Sequence, residues 1–377
     1  MQTLKVVTIV GTRPELIKLC RVIAELEARL THVLVHTGQN YDYELNEVFF
    51  EQLRIRKPDY ALQVAGATPA QTIANVIAGC DAVLEREQPD ALLVLGDTNS
   101  ALSVIAAKRR RIPIFHMEAG NRCFDPRVPE EINRKIVDHV SDVNLPYTEH
   151  ARRYLIAEGL RPETIIKTGS PMREVLNFFR PQIESSDVLN RLELSPRGYF
   201  VVSAHREENV DAPESLLGLL NVLNAIAERH DKPLVVSTHP RTRQRLDALN
   251  GAQHLDPRVR LLKPLGLFDY VRLQQQALAV VSDSGTLTEE SALLGFPAIA
   301  IRETHERPEG MDEATLVMSG LRPQRVLQSI DLVTTQFVPG ETELAAPVDY
   351  GSANVSKKIV RIITSYVDYV NRNVWKR

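Results

Sequence analysis

Asp97, Glu118 and Glu130 occupy positions from which carboxylates can move protons. Asp97 stands in Gly96-Asp97-Thr98, directly after the apolar run Ala91 to Leu95. Glu118 stands in His116-Met117-Glu118-Ala119-Gly120, after the run Ile112 to Phe115. In a chain that alternates strand and helix, such runs read as parallel strands buried on both faces. Their carboxyl ends open onto the crevice where doubly wound folds bind ligands. Glu130, in Val128-Pro129-Glu130-Glu131, enters at the next helix start. Carboxylates gathered on one rim suit proton transfer or the stabilisation of a developing cation.

The remaining candidates suit an anion. The first strand ends in Gly11-Thr12-Arg13-Pro14-Glu15, where a dinucleotide-binding protein would carry GxGxxG. The glycines that let a backbone approach a pyrophosphate are absent, which argues against a nicotinamide cofactor. Pro14 suits the first position of a helix, whose free N–H groups favour negative charge. Arg13 and Lys18 add positive charge there, although a surface turn with incidental basic residues reads the same way. Ser203-Ala204-His205-Arg206-Glu207-Glu208-Asn209 brings His205 and Arg206 to a strand end in the second half. His239 and Arg241 follow the next strand.

Ser282-Asp283-Ser284-Gly285-Thr286 is a turn of small residues that opens a helix. That geometry cradles a diphosphate on backbone N–H groups and the Ser284 hydroxyl. Gly285 lies within the turn, and Glu290, one turn on, can accept from ribose hydroxyls. An ordinary N-capped helix with an acidic first turn is the alternative. Glu303 to Glu309 is dense in charge and offers Arg307 to a cleft. His116-x-Glu118 and the scattered histidines lack metal-ligand spacing, so no metal is expected.

Two domains are expected of 377 residues. Composition is ordinary for a soluble globular protein, with 44% hydrophobic and 25% charged residues. A net charge of −3 gives no nucleic-acid footprint. The run Lys108 to Arg111 reads as a solvated helix end. Cys20, Cys80 and Cys123 are odd in number and far apart, which reads as buried thiols rather than disulfides. No signal peptide is visible, and no apolar run nears the roughly 20 residues needed to cross a bilayer. A cytoplasmic location is expected.

The elements that must position these groups alternate regularly. Strands are predicted at Leu4 to Val10, His32 to His36, Ala91 to Leu95, Ile112 to Phe115, Val143 to Pro146 and Ile165 to Lys167. Helices are predicted at Pro14 to Leu30, Ala70 to Arg86 and Glu131 to Val140. Arg180 to Arg197 loses periodicity and reads as a linker region. The alternation then restarts, with strands at Tyr199 to Ser203, Pro233 to Ser237, Arg258 to Leu262, Ala279 to Ser282 and Ala298 to Ile301. The fold class is α/β, with two Rossmann-like lobes of parallel sheet facing a shared cleft. The first lobe spans 1–170 and the second 171–354. A last amphipathic helix, beginning near Val355, crosses back to the first lobe.

Taken in order, Gly11-Thr12-Arg13-Pro14-Glu15, Gly96-Asp97-Thr98, His116 to Gly120, Pro129-Glu130-Glu131, Asp283-Ser284-Gly285 and Glu306-Arg307-Pro308-Glu309 resemble one family. It is the non-hydrolysing UDP-N-acetylglucosamine 2-epimerases. The resemblance implies a glycosyltransferase-B-type fold, a homodimer, and a UDP-sugar bound without any cofactor. It implies elimination of UDP to a 2-acetamidoglycal and re-addition with C2 inverted. Asp97, Glu118, Glu130 and His205 would be catalytic. Arg13, Lys18, Arg206, His239, Tyr270, Ser284, Gly285, Glu290 and Arg307 would bind substrate. His36 to Asp42, Asn121 to Asp125 and His205 to Asp211 look most like the branch forming UDP-N-acetyl-L-fucosamine from the L-talo isomer. Asn40, Glu207 and Tyr270 differ from the residues common in the family. Asn40 and Glu207 fall where some relatives build a regulatory UDP-sugar site. A retaining glycosyltransferase and a non-catalytic UDP-sugar sensor are the readings from other classes.

Overall fold

The computed structural model describes residues 3–38, 49–210, 212–238, 240–248, 255–304, 306–338 and 346–377. The chain divides into two compact units, residues 1–178 with 348–377, and residues 179–347. These divisions fall at 178/179 and 347/348 rather than at 170/171 and 354/355.

The first unit is built on a six-stranded sheet in the order β3-β2-β1-β4-β5-β6. Its strands are β1 (Lys5–Val10), β2 (Thr31–His36), β3 (Tyr60–Ala61), β4 (Ala91–Leu95), β5 (Ile114–Met117) and β6 (Val143–Leu145). All pair in parallel. Every residue of β4 is buried, as a strand covered by helices on both faces requires. This is the doubly wound order, and it reverses direction between β1 and β4, where such sheets bind ligands. The strand predicted from Ile112 begins at Ile114, because Pro113 has no N–H to give the ladder. Ile165 to Lys167 forms no strand; Ile165 makes a single bridge to Asn144. The basic run is anchored as well as solvated: Lys108 Nζ reaches Asp142 at 2.5 Å and Arg110 grips Asp81.

The second unit repeats the plan with β7 (Phe200–Ser203), β8 (Leu234–Ser237), β9 (Val259–Leu262), β10 (Ala279–Ser282), β11 (Ala298–Ala300) and β12 (Val317–Met318). The order β12-β11-β10-β7-β8-β9 puts its reversal between β7 and β10. The segment read as a linker is part of this unit. It forms short helices at Arg180–Glu184 and Val188–Arg191 and buries Ile183, Val188 and Leu194.

The last helix, Val355–Asn373, belongs to the first unit and lies against the helix Arg13–Arg29. Ile359, Ile363, Val367 and Val370 recur at helical spacing and are all buried. Each contributes about 1.5–3 kcal/mol of apolar burial. Its first turn is fixed by Glu174, which accepts from the Ser356 N–H at 2.9 Å, and by Lys358, which donates to the Thr168 carbonyl at 2.9 Å.

Candidate active site

Leu95 and Met117 are register partners on β4 and β5, so Asp97 and Glu118 leave neighbouring strands side by side. The Gly96 N–H donates to the Met117 carbonyl at 2.9 Å and continues the ladder into the turn. Glu118 takes a left-handed backbone, φ 62°, a strained state for a residue with a Cβ. Gly120 follows at φ 82°, and a Cβ there would meet the Ala151 carbonyl oxygen at 2.5 Å. Only glycine closes this turn.

Each carboxylate has its own cation. Lys18 Nζ pairs with Glu118, both side chains being largely buried. Lys18 Nζ also lies 6.0 Å from the Tyr147 ring centre. Arg134 holds Asp97 through Nε at 3.1 Å and through a second guanidinium nitrogen. Its remaining nitrogen donates to Glu131 Oε2 at 3.1 Å. Asn133 donates to the Asp97 carbonyl at 3.0 Å.

Glu130 and Glu131 divide in role. Glu130 sits half-buried in the first turn of the helix Pro129–Val140. Glu131 points inward and accepts from the Cys123 and Phe124 N–H groups, at 3.1 and 3.3 Å. It thereby shapes the loop that joins Glu118 to Glu130.

A buried network backs that loop. His116 Nε2 lies 2.8 Å from the Gly96 carbonyl, and its Nδ1 lies 2.9 Å from Asp138. Asp138 accepts from Arg122 at 2.7 Å and from the Gly120 N–H at 3.2 Å. Arg122 also grips Glu158 at 2.7 and 2.6 Å. Phe124 turns outward with φ 56°, 64% exposed, its ring edge-on to Tyr154. On the other side of the sheet reversal, the Arg13 guanidinium lies 5.3 Å from the Phe49 ring centre.

In the second unit, Asp283 organises the His205 strand end. Fully buried, it accepts from the His205 and Arg206 N–H groups, each at 3.0 Å, and from Asn209 Nδ2 at 3.0 Å. The His205 ring is half-exposed, with Nδ1 3.3 Å from Asp283. Ser284 takes part in the turn itself: its N–H donates to Ser282 Oγ at 3.0 Å, and its hydroxyl meets Thr286 Oγ1 at 3.0 Å. A Cβ on Gly285 would meet Arg206 and Glu306 at ordinary contact distance, 3.4 Å from each, so the turn lies between those two side chains. Arg206 pairs with Glu306 at 3.1 Å, and Arg302 pairs with Glu306 at 3.1 Å.

Glu290 is oriented before any ligand arrives. Gln274 donates to its Oε2 at 2.6 Å and Thr286 to its Oε1 at 2.8 Å. Tyr270 hydrogen-bonds Ser203, and burial together with the Glu290 charge pushes its phenol well above the ordinary range. Arg307, expected to face a cleft, is instead buried. Its Nε donates to the Gly285 carbonyl at 2.9 Å and it pairs with Glu289 at 3.1 Å. It fixes the turn from below.

His239 lies outside the described residues, as do Gln39 and Asn40. Asn133, Arg134, Asp138 and Asp283 escaped the sequence reading as site residues. The first two had a signal: they follow Glu130 by one helical turn, the spacing that puts side chains on one face.

The family model for UDP-N-acetylglucosamine 2-epimerase matches residues 24–364. A solved UDP-N-acetylglucosamine 2-epimerase from Rickettsia bellii is 57% identical, with a TM-score of 0.94 over 100% of both chains. That from Methanocaldococcus jannaschii, in complex with UDP-GlcNAc and UDP, is 30% identical with a TM-score of 0.88, covering 96% of this chain and 99% of its own. A Pseudomonas aeruginosa UDP-2,3-diacetamido-2,3-dideoxy-D-glucuronate 2-epimerase is 33% identical over 96% of this chain and 99% of its own.

Proposed function

Because this chain belongs to the UDP-N-acetylglucosamine 2-epimerase family, we propose that it inverts C2 of a UDP-N-acetylhexosamine by removing and re-adding UDP. The observation that carries the reading is the placement of Asp97 and Glu118 on neighbouring strand ends, each held by a cation. The C2 proton has no adjacent carbonyl, so direct deprotonation would be prohibitively slow. Elimination avoids the problem. A carboxylate takes the C2 proton, the C–H pair becomes the C1=C2 bond, and UDP departs with the C1–O pair. Re-addition reverses each step with the proton delivered to the other face.

Departure of UDP builds positive character at C1 and negative charge on the phosphate. Asp97, Glu118 and Glu130 act on the first as acid, base and cation stabilisers. Arg13, Arg206, His205 and the Ser284 turn act on the second. Glu290 accepts from the ribose, and Tyr270 lines the same pocket. Both developing charges are met by the protein's own groups, with no cofactor assigned.

The substrate proposed is the 6-deoxy L-talo UDP-sugar, giving UDP-N-acetyl-L-fucosamine for a surface polysaccharide. Support comes from the segments around Asn40, Asn121 to Asp125 and Glu207. UDP-N-acetylglucosamine is the second reading, favoured by the names that most relatives carry. A pocket built for a methyl group leaves a C6 hydroxyl poorly paired, which sets the two apart. A homodimer in the cytoplasm completes the proposal, and sedimentation velocity reads the oligomeric part.

The test is incubation with a UDP-sugar panel in deuterated water without acceptor. Deuterium at C2, with some free UDP and glycal, is expected. Its absence from every sugar would sink the epimerase reading. Equal or better kcat/KM on UDP-N-acetylglucosamine would replace the 6-deoxy assignment with the second reading.

A further inference from the structure

We propose that Glu15 is a positioning residue of the site, clamping the turn that carries Arg13 to the loop that carries Asp97. The clamp's catalytic consequence rests on the epimerase reading; its geometry does not. Glu15 Oε2 accepts from the Gly11 N–H at 3.0 Å and from the Thr12 hydroxyl at 2.7 Å. Its Oε1 accepts from the Thr98 hydroxyl at 3.1 Å. One carboxylate, 1% exposed, therefore spans the sheet reversal between β1 and β4.

A helix cap would account for only part of this. Thr12 and Glu15 have the spacing of a capping box, in which the threonine oxygen accepts from the helix N–H groups. Here Thr12 makes no such cap, and its hydroxyl donates to Glu15 instead. Capping also needs no partner 83 residues away, on the loop after another strand. A neutral bond between Thr37 and Ser100, at 2.8 Å, already ties that loop to β2. Glu15 adds a charge-capable tie on the other side.

Burial pushes the Glu15 carboxyl up to about 7 in spite of its donors. Ionising it therefore costs folding stability, a pattern common where a group serves a site. Arg13 and Asp97 flank the clamp by two residues and one residue. A shift of about 1 Å in either is enough to cost about a hundredfold in rate.

The experiment compares Glu15→Gln and Thr98→Val with the unaltered protein by hydrogen–deuterium exchange and steady-state kinetics. Thr98→Val removes the inter-loop bond and leaves the helix start intact. Peptides covering 8–16 and 95–102 are expected to exchange faster in both variants. With the UDP-sugar that the unaltered protein turns over, kcat should fall about tenfold or more while KM stays within about threefold. Unchanged exchange in the two loops overturns the clamp. So does a fall in kcat that vanishes once the rate is expressed per folded molecule, with the folded fraction read from urea unfolding at pH 8, which marks a residue of the fold alone. Exchange is read without substrate, so an unaltered protein inactive on every UDP-sugar overturns the epimerase reading separately.

Discussion

Lys18 and Glu118 form an ion pair across 100 residues of sequence, with both side chains largely withdrawn from water. Lys18 rises from the helix after β1, and Glu118 hangs from a strained turn after β5. A buried pair of this kind is expensive to break from one side only, by about 3–5 kcal/mol. Lys18→Met should therefore destabilise the first unit strongly. The double variant Lys18→Met, Glu118→Gln should recover part of that loss. Urea unfolding of the single and double variants checks it; a double variant that loses as much as the two singles together, or more, would refute the pairing.

Asp97→Asn, Glu118→Gln and Glu130→Gln should each lower turnover by about a hundredfold or more. UDP affinity should stay within a few-fold, since these groups face the sugar in the proposed reaction. Near-normal turnover in any one variant removes that residue from the catalytic set.

Glu290→Gln should weaken UDP binding by about 1–3 kcal/mol through lost charge-assisted bonds to the ribose. Calorimetry with UDP alone reads this directly. Unchanged affinity would mean that the Ser284 turn holds something other than the nucleotide.

Arg307→Ala should act through the fold. It leaves Glu289, fully buried, without its cation and frees the Gly285 carbonyl. A loss of about 3–5 kcal/mol is expected. Arg307→Lys should restore little, because one ammonium cannot serve both the carbonyl and the carboxylate in that fork. A wild-type unfolding midpoint for Arg307→Ala would contradict this placement.

Glu15 makes stability depend on pH with a definite sign. Its carboxyl moves from 4.5 to about 7 on folding. The folded state thus holds its proton more tightly, and this contribution is fully present in acid. It is lost as pH rises from about 4.5 through about 7, amounting to about 3 kcal/mol. The unfolding free energy of Glu15→Gln, relative to the unaltered protein, should rise by that much between acid and pH 8. A difference that does not vary with pH would show that Glu15 keeps an ordinary carboxyl.

The strands that position the site are legible because β4 is short and wholly apolar, β5 opens on the apolar pair Ile114-Phe115, and a glycine and a glutamate follow them. Two-residue β3 and β12 carry too little pattern to be seen. Arg180 to Arg197 reads as a linker because its helices, of five and four residues, make little more than one turn each, too short for a 3.6-residue period to repeat. Asp97, Glu118 and Lys18 announce themselves by position; the pairing of Lys18 with Glu118, and Arg134 as the cation of Asp97, do not. Arg134 pairs with Asp97 only because the helix Pro129–Val140 packs beside β4's loop, a tertiary fact that spacing along the chain does not contain. The burial of Arg307 is hidden for the converse reason: a charged segment after a strand reads as cleft-facing until its partners, Glu289 and Gly285, are in place.

The return of residues 348–377 to the first unit bears on the order in which the protein can be made. Residues 179–347 are contiguous, so the second unit can close as soon as they have left the ribosome. The first unit is translated earlier yet finishes later. Until the helix Val355–Asn373 arrives, the apolar flank of the helix Arg13–Arg29 that receives it faces water. The segment made first is therefore the one that waits, carrying an exposed seam through most of its synthesis.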